Sequence, residues 1–495
     1  MDWNQEYDVI IIGTGAGGSA VGWALQGSGK SVLFLETGDF IPQEADNWSP
    51  EANFKSKKYY ERAPWFDVDS NSFFQTQEVP AVGGKTKVWG NALSRFTPET
   101  FDAYEEAEGL SPAWPISYEI LRPFYEQAEQ LYKVHGDSPE IPYAYPGLPY
   151  DSEIRPIVNT WEQLGFPVKK LPLALDVREQ GRCTPCQRCV GYVCKVHGKC
   201  DADVTVMRPL LEKKDFQLLT GATAKRLIPF ENKADRIDSV EIQWQGQTRQ
   251  LKAKQIVVSC GAVNSSLLFM KSKSKTFPEG LANSSGLLGK NLMFHNIIGL
   301  GGIRLTHRPF LAQSYQKLFQ IDFPVNQGKA NVNFQAIGAA PLEHVAGPPL
   351  SWMPHIARFL NKRTLLMTMH NEDLPKTGNC VRYTEDRVEI QHEPNNDQYL
   401  LEKATVMKSA IRKAGFPIVV MQNLIGSKLK MAYASGTMRF GNSPNDSVLD
   451  SNCRCHDLEN VYVADSSFFP SAGSHNIGLT VIANGLRVGS HLKSL

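Results

Sequence analysis

The first apolar run of the chain, Val9–Ile12 within YDVIIIGTG, is unbroken branched aliphatic, the pattern of a parallel strand buried on both faces. A glycine-rich turn follows it. Small residues from Ala16 to Leu25 then predict a helix, and Ser31–Leu35 predicts a second strand that ends in Glu36. The run IVVSCGAV, starting at Ile256, is again strand-sized, and SPAWPISY leads into a helix predicted from about Tyr118 to Tyr132. Residues 300–425 are more polar and irregular, and VRYTEDRVEIQHEP within them alternates as strands of an antiparallel sheet do. Glycine-rich signals return from Tyr433, and a last helix is predicted from about Thr480 to Leu492. No apolar run has the length needed to span a bilayer.

At 495 residues the chain is too long for one ordinary core, so two domains, or one with large insertions, are expected. The order of elements predicts an α/β protein. Its nucleotide-binding domain is assembled from residues 1–98, 199–298 and 429–495, and an α+β substrate domain with an antiparallel sheet takes 99–198 and 299–428. A hydrophobic content of 42% with 21% charged residues is that of a soluble globular protein. The net charge of +1 offers no basic field to nucleic acid or to an acidic membrane surface. Acids precede the first apolar run, the reverse of a secretion signal, so a cytoplasmic protein is expected.

The chemistry begins at Gly13-Thr14-Gly15-Ala16-Gly17-Gly18. The first glycine permits a tight turn, the second lets a pyrophosphate approach the backbone, and Gly18 lets the helix pack on the strand. Glu36, ending the next strand, is placed to accept hydrogen bonds from a ribose. EVPAVGGKTKVWGNALSRF (78–96) brings Gly83, Gly84 and Gly90 around Thr86 and Trp89, a segment able to run close along an extended cofactor or to form a plain loop over a buried tryptophan. Five of the nine cysteines fall between Cys183 and Cys200. Cys183, Cys186, Cys189 and Cys194 have spacing near that of an iron–sulfur loop; zinc and a reduced, cysteine-rich turn remain open alternatives.

Taken together, the glycine turn, VGGKTKVWG, IVVSCGAVNSSLLF and the ending ASGTMRFGNSPNDSVLD…YVADSSFFPSAGSHNIGLTVIANGLRVG resemble the glucose-methanol-choline family of flavoproteins, specifically a bacterial branch of unassigned substrate. The resemblance runs over essentially the whole chain. It implies FAD, a Rossmann-type FAD-binding domain, and hydride transfer from a CH–OH group to flavin. It further implies Gly13, Gly15 and Gly18 at the pyrophosphate, Glu36 at the ribose and Ala224 beside adenine. Gly83, Gly84, Thr86, Gly90 and Asn91 are implied along the flavin, Asp465 near the ribityl chain, and Asn476 and Thr480 near the ring.

The sequence departs from that family at two places, one of them Asn476-Ile477, where Asn-Pro is common. Family alcohol oxidisers carry a histidine in HxxGT; the matching stretch here is Tyr433-Ala-Ser-Gly436-Thr437. A phenol, with a reference pKa of about 10, is a poor base at neutral pH. His475, beside Asn476, is the expected base, with Asn476 fixing the substrate oxygen and Tyr433 donating to it. The alternative is changed chemistry, such as decarboxylation, desaturation or isomerisation of an apolar substrate, or a flavin-binding partner subunit without catalysis. Phe73, Phe74, Tyr315, Phe319 and Trp352 are aromatics that would suit an apolar ligand or simply a core. Expected partners are a small-molecule substrate and an electron-acceptor protein or small subunit.

Overall fold

The computed structural model describes residues 3–106, 108–138, 141–231, 233–305, 318–325, 330–338, 341–345, 350–427 and 433–495; Tyr315 and the boundary expected at 428/429 lie outside them. Two large sheets organise these residues. In chain order their strands are β1 (Glu6–Ile12), β2 (Val32–Leu35), β3 (Val168–Lys170), β4 (Phe216–Leu219), β5 (Ala222–Phe230), β6 (Lys233–Trp244) and β7 (Gln247–Val258), then β8 (His295–Ile303), β9 (Phe319–Val325), β10 (Ala330–Gly338), β11 (Thr364–Glu372), β12 (Ile418–Asn423) and β13 (Val461–Val463). The helices that matter here are α1 (Ala16–Ala24), α2 (Tyr118–Leu131), α3 (Ala262–Lys271), α4 (Gln398–Lys413) and α5 (Gly478–Ser494).

The first sheet has the order β4-β2-β1-β7-β6-β5, with β13 added beside β7. β4, β2, β1, β7 and β13 pair in parallel, while β7, β6 and β5 form an antiparallel meander. The two halves of β7 do different work: Gln247–Lys252 pairs with β6 and Ile256–Val258 with β13. The apolar run of β1 is buried on both faces, as its unbroken pattern requires. α1 and α5 pack closely because α5 presents Gly485 and Gly489. A Cβ there would fall 2.7 Å from the Gly17 carbonyl oxygen and 2.5 Å from that of Val21.

The second sheet, β12-β8-β11-β10-β9-β3, is antiparallel at every pairing. One face buries Ile298, Leu300, Leu365, Met367 and Phe334 against Met407 and Ile411 of α4. Its other face fronts the cavity described below. The alternating segment forms the expected hairpin, Cys380–Thr384 with Arg387–Gln391, but in a smaller sheet with Trp65–Asp67. Two strips of chain lie across the expected domain boundaries. β8 pairs with β11 without a break from His295 to Ile303, so the second sheet begins before residue 298. α2 buries Leu121 and Tyr125 in the core of the first sheet and not in the second unit. Among the described residues no helix is long and apolar enough to cross a membrane.

Candidate active site

Between the two sheets lies a cavity of about 920 Å³, within the range of about 300–1,000 Å³ typical of ligand sites. Gly13, Gly15, Glu36, Gly84, Thr86, Gly90, Asn91, Ala224, Asp465, Tyr433 and Asn476 all line it. At Gly13 the backbone has φ +101°, and a Cβ would lie 2.3 Å from the Ser259 carbonyl oxygen, so the turn admits only glycine. Gly15 caps α1 with no side chain, leaving the helix N-terminus open to an anion. The Glu36 carboxylate accepts from the Thr14 hydroxyl (2.7 Å), the Thr14 amide (3.2 Å) and the Gly38 amide (3.2 Å). Burial pushes its pKa up against the pull of those donors. Asp465 accepts from the Gly261 amide (3.0 Å), the Ser265 hydroxyl (2.5 Å) and the amide and hydroxyl of Ser467 (2.9 and 2.5 Å). It thus ties the end of β7 to the turn after β13 while facing the cavity.

At the other end of the cavity a polar relay starts at Tyr433. Its hydroxyl donates to Asn476 Oδ1 (3.0 Å), and Asn476 Nδ2 donates to Gln335 Oε1 (3.1 Å). That bond turns the Gln335 amide so that its nitrogen faces His370 Nε2 at 3.4 Å, where the Thr368 hydroxyl also lies at 2.9 Å. The Gln335 amide and the Thr368 hydroxyl thus meet at one ring nitrogen of His370, at the cavity wall. His295 stacks under Tyr433 (4.5 Å between centroids, 17° between planes), and burial takes its pKa down to about 4, so it is neutral at pH 7. Burial pushes the Tyr433 phenol up to about 12, which makes it a donor and not a base.

Several expected site residues stand elsewhere. His475 does not line the cavity; it turns the opposite way from Asn476, and its Nε2–H donates to Asp322 Oδ1 at 3.1 Å. Burial would raise the Asp322 pKa, but His475 and Asn333 overcome this and hold it at about 2. Because the folded pKa lies below the unfolded value, this stabilisation is present above about pH 4 and is lost as the pH falls toward 2. His475→Gln is therefore expected to cost about 1–3 kcal/mol at neutral pH and to leave the rate of flavin reduction unchanged, checked by urea unfolding and stopped-flow absorbance. Thr480 also faces away, its hydroxyl 2.8 Å from that of Tyr125. Gly18 and Gly83 support the turn from behind: Gly18 packs on the Gly13 carbonyl, and the Gly83 amide donates to Thr14 Oγ1 (3.1 Å). Phe73, Phe74, Phe319 and Trp352 do not line the cavity either.

Cys186, Cys189 and Cys194 lie near enough to Cys183 to add to the burial that raises its pKa, yet among the described residues no group of three or more His, Cys, Asp or Glu side chains is arranged to hold a metal ion. The centre of their loop is filled by Lys199. Its buried ammonium lies 2.7–3.2 Å from the carbonyl oxygens of Tyr192, Cys189, Trp89 and Lys87. The Lys199 side chain, its pKa lowered by burial, organises the loop from within and ties it to the segment along the cavity.

The residues present fit FAD. The glycine turn leaves an open anion site, and Asn91, buried with φ +59°, has neither its Nδ2 nor its Oδ1 partnered among the described residues. Buried amide groups need hydrogen bonds, and those of Asn91 stand at the cavity wall. Asn91→Gly keeps the left-handed backbone and is expected to weaken FAD binding about tenfold, the worth of one or two hydrogen bonds. Titration of the apoprotein by flavin fluorescence checks it.

A Rossmann-type sheet with its glycine turn, facing an antiparallel sheet across one large cavity, defines an FAD-dependent oxidoreductase. The chain belongs to the GMC oxidoreductase family, whose N-terminal and C-terminal models match residues 7–297 and 395–485. It is 27% identical to paromamine 6'-oxidase of Streptomyces fradiae over 98% of this chain and 91% of that protein. It is 26% identical to 2-methyl-1,2-propanediol dehydrogenase of Mycolicibacterium austroafricanum, over 99% and 95%. Among solved structures, pyridoxine 4-oxidase from Mesorbium loti superposes with a TM-score of 0.69 at 17% identity, covering 98% of this chain and 99% of that one. A variant formate oxidase from Aspergillus oryzae gives 0.70 at 15%, covering 100% and 99%.

Proposed function

We propose that the protein oxidises a CH–OH group of a small molecule, with FAD binding assigned to the unit of the first sheet and substrate selection to the second. The observation that carries this reading is the cluster of His370, Asn476 and Tyr433 on one wall of the cavity that also holds the glycine turn. The bound FAD supplies the two-electron acceptor. His370 Nε2 takes the hydroxyl proton. For this the substrate hydroxyl displaces the Thr368 hydroxyl (2.9 Å) and the Gln335 amide nitrogen (3.4 Å) from that nitrogen's single lone pair. Asn476, held by Tyr433 and Gln335, orients the substrate oxygen. The relatives' names include an oxidase of paromamine and a dehydrogenase of a propanediol, which supports an alcohol as the reacting group.

The nine cysteines are all unpaired, as a reducing compartment requires, which supports a cytoplasmic protein. An electron-acceptor protein is the proposed macromolecular partner. Anaerobic addition of a panel of alcohols and sugars to the FAD-loaded protein tests the reaction. Bleaching of the flavin absorbance by at least one of them is expected, and a flavin that none of them reduces overturns the reading.

A further inference from the structure

The cavity continues past the His370–Asn476 cluster as an arm along the open face of the second sheet. In β8, Ile298 and Leu300 turn toward α4, as does Gly302, where a Cβ would press to 2.9 Å from Ile411. Gly299, Gly301 and Ile303 turn the other way and line the cavity. A Cβ at Gly301 would meet nothing closer than 3.6 Å, and at Gly299 nothing closer than 3.8 Å. Neither residue has a left-handed backbone. Packing and dihedral angles therefore do not demand glycine at either position, and glycine inside a strand costs stability. What the two glycines leave is room, continuous with the cavity.

The walls of that room are mainly aliphatic, from Leu366 of β11, Ile337 of β10, Leu342, Leu360 and the half-exposed Val420; their polar members are Thr364, whose hydroxyl donates to the Leu360 carbonyl, and Gln422 on the exposed edge strand. The charged residues that line the cavity lie at its glycine-turn end, from Glu36 to Lys271, together with Asp465. Polar groups that can meet an alcohol are gathered where His370, Thr368 and Asn476 stand. On β11 the cavity-facing residues run from Thr364 to His370, about 20 Å of strand. That length holds an extended chain on the order of a dozen carbons, whose C–C bonds are each about 1.5 Å.

We infer that the substrate is an amphipathic alcohol whose hydroxyl end meets His370 and Asn476 and whose unbranched alkyl chain lies in the arm over Gly299 and Gly301. This rests on the CH–OH reading above. A polyhydroxylated sugar placed there would press most of its hydroxyls against Leu and Ile, with Gln422 and Thr364 the polar side chains in reach, at a cost in affinity.

The test uses the FAD-loaded protein and a dansyl-labelled undecanoic acid, displaced in turn by ethanol, butanol, octanol, dodecanol and glucose. Affinity is expected to rise about fourfold per methylene, the transfer value for a buried CH₂, and glucose is expected not to compete. Gly301→Leu fills the arm and is expected to remove most of the advantage of dodecanol over butanol. Leu366→Gln keeps the volume, guards against misfolding in the first variant, and is expected to weaken dodecanol about tenfold or more. A probe that does not bind, affinity flat with chain length, or dodecanol binding unchanged in both variants overturns the inference. Flavin bleaching followed in parallel separates the two claims. A chain-length slope without bleaching by any alcohol sinks only the oxidation reading; bleaching by glucose with no slope sinks only the alkyl one.

Discussion

Replacing His370 with alanine is expected to slow flavin reduction by roughly 10²–10⁴-fold, the usual contribution of a positioned general base, while FAD stays bound. The imidazole is the cavity-lining ring that the relay from Tyr433 through Asn476 and Gln335 reaches. Tyr433→Phe removes one hydrogen bond from that relay and should cost about 1 kcal/mol, or roughly fivefold, since a phenol with its pKa at about 12 is not the proton acceptor. Free imidazole added to His370→Ala should restore part of the rate. A His370→Ala enzyme that reduces its flavin at the parent rate would remove His370 from the reaction.

Lys87→Met is the substitution expected to damage the fold most. The Lys87 ammonium lies 2.8 Å from Asp203 and 3.0 Å from Asp201, with all three side chains at most 1% exposed. Burial alone would lower the lysine pKa, but the two carboxylates outweigh it and raise it. The folded pKa therefore exceeds the unfolded one, and the stabilisation is full below about pH 10 and lost as the pH rises through the folded value. Without Lys87, Asp201 loses its cation and Asp203 keeps only Arg208 (2.9 Å). Breaking such a buried group costs about 3–5 kcal/mol. The variant should release FAD at lower urea concentration, because the same lysine sits in the segment carrying Thr86 and Asn91 along the cavity. Adding Asp201→Asn should recover part of the loss; no recovery would show that the damage lies in packing and not in charge.

The parts of the site that short-range pattern could announce were legible. Gly13, Gly15 and Glu36 sit in a strand–turn–helix–strand unit whose spacing carries its own geometry, and α1 and β2 form within a residue of their expected bounds. Gln335 and His370 gave no such signal. They lie on β10 and β11, where polar and apolar residues alike are buried, so no alternation marks the face turned to the cavity. Their meeting depends on β10 pairing with β11, a contact between residues 35 apart. His475 misled for the opposite reason. It is adjacent to Asn476 in sequence, but neighbouring residues ahead of α5 point to opposite sides, and Asp322 is invisible from there. The cysteine spacing was equally plain, whereas Lys199, which fills the loop, carried no motif.

The interleaving of the first sheet also has a temporal side. Gly13 and Asp465 face one cavity, yet β13 and α5, which complete it, emerge some 450 residues after β1. At about 5–20 residues per second, a ribosome needs roughly 20–100 s to cover that distance. Throughout that interval α1 lacks the helix that covers its glycines, and for roughly its last 200 residues β7 lacks the strand that pairs its second half. The cavity that lines up Gly13 with Asp465 and Asn476 is therefore complete only once synthesis has passed Asn476.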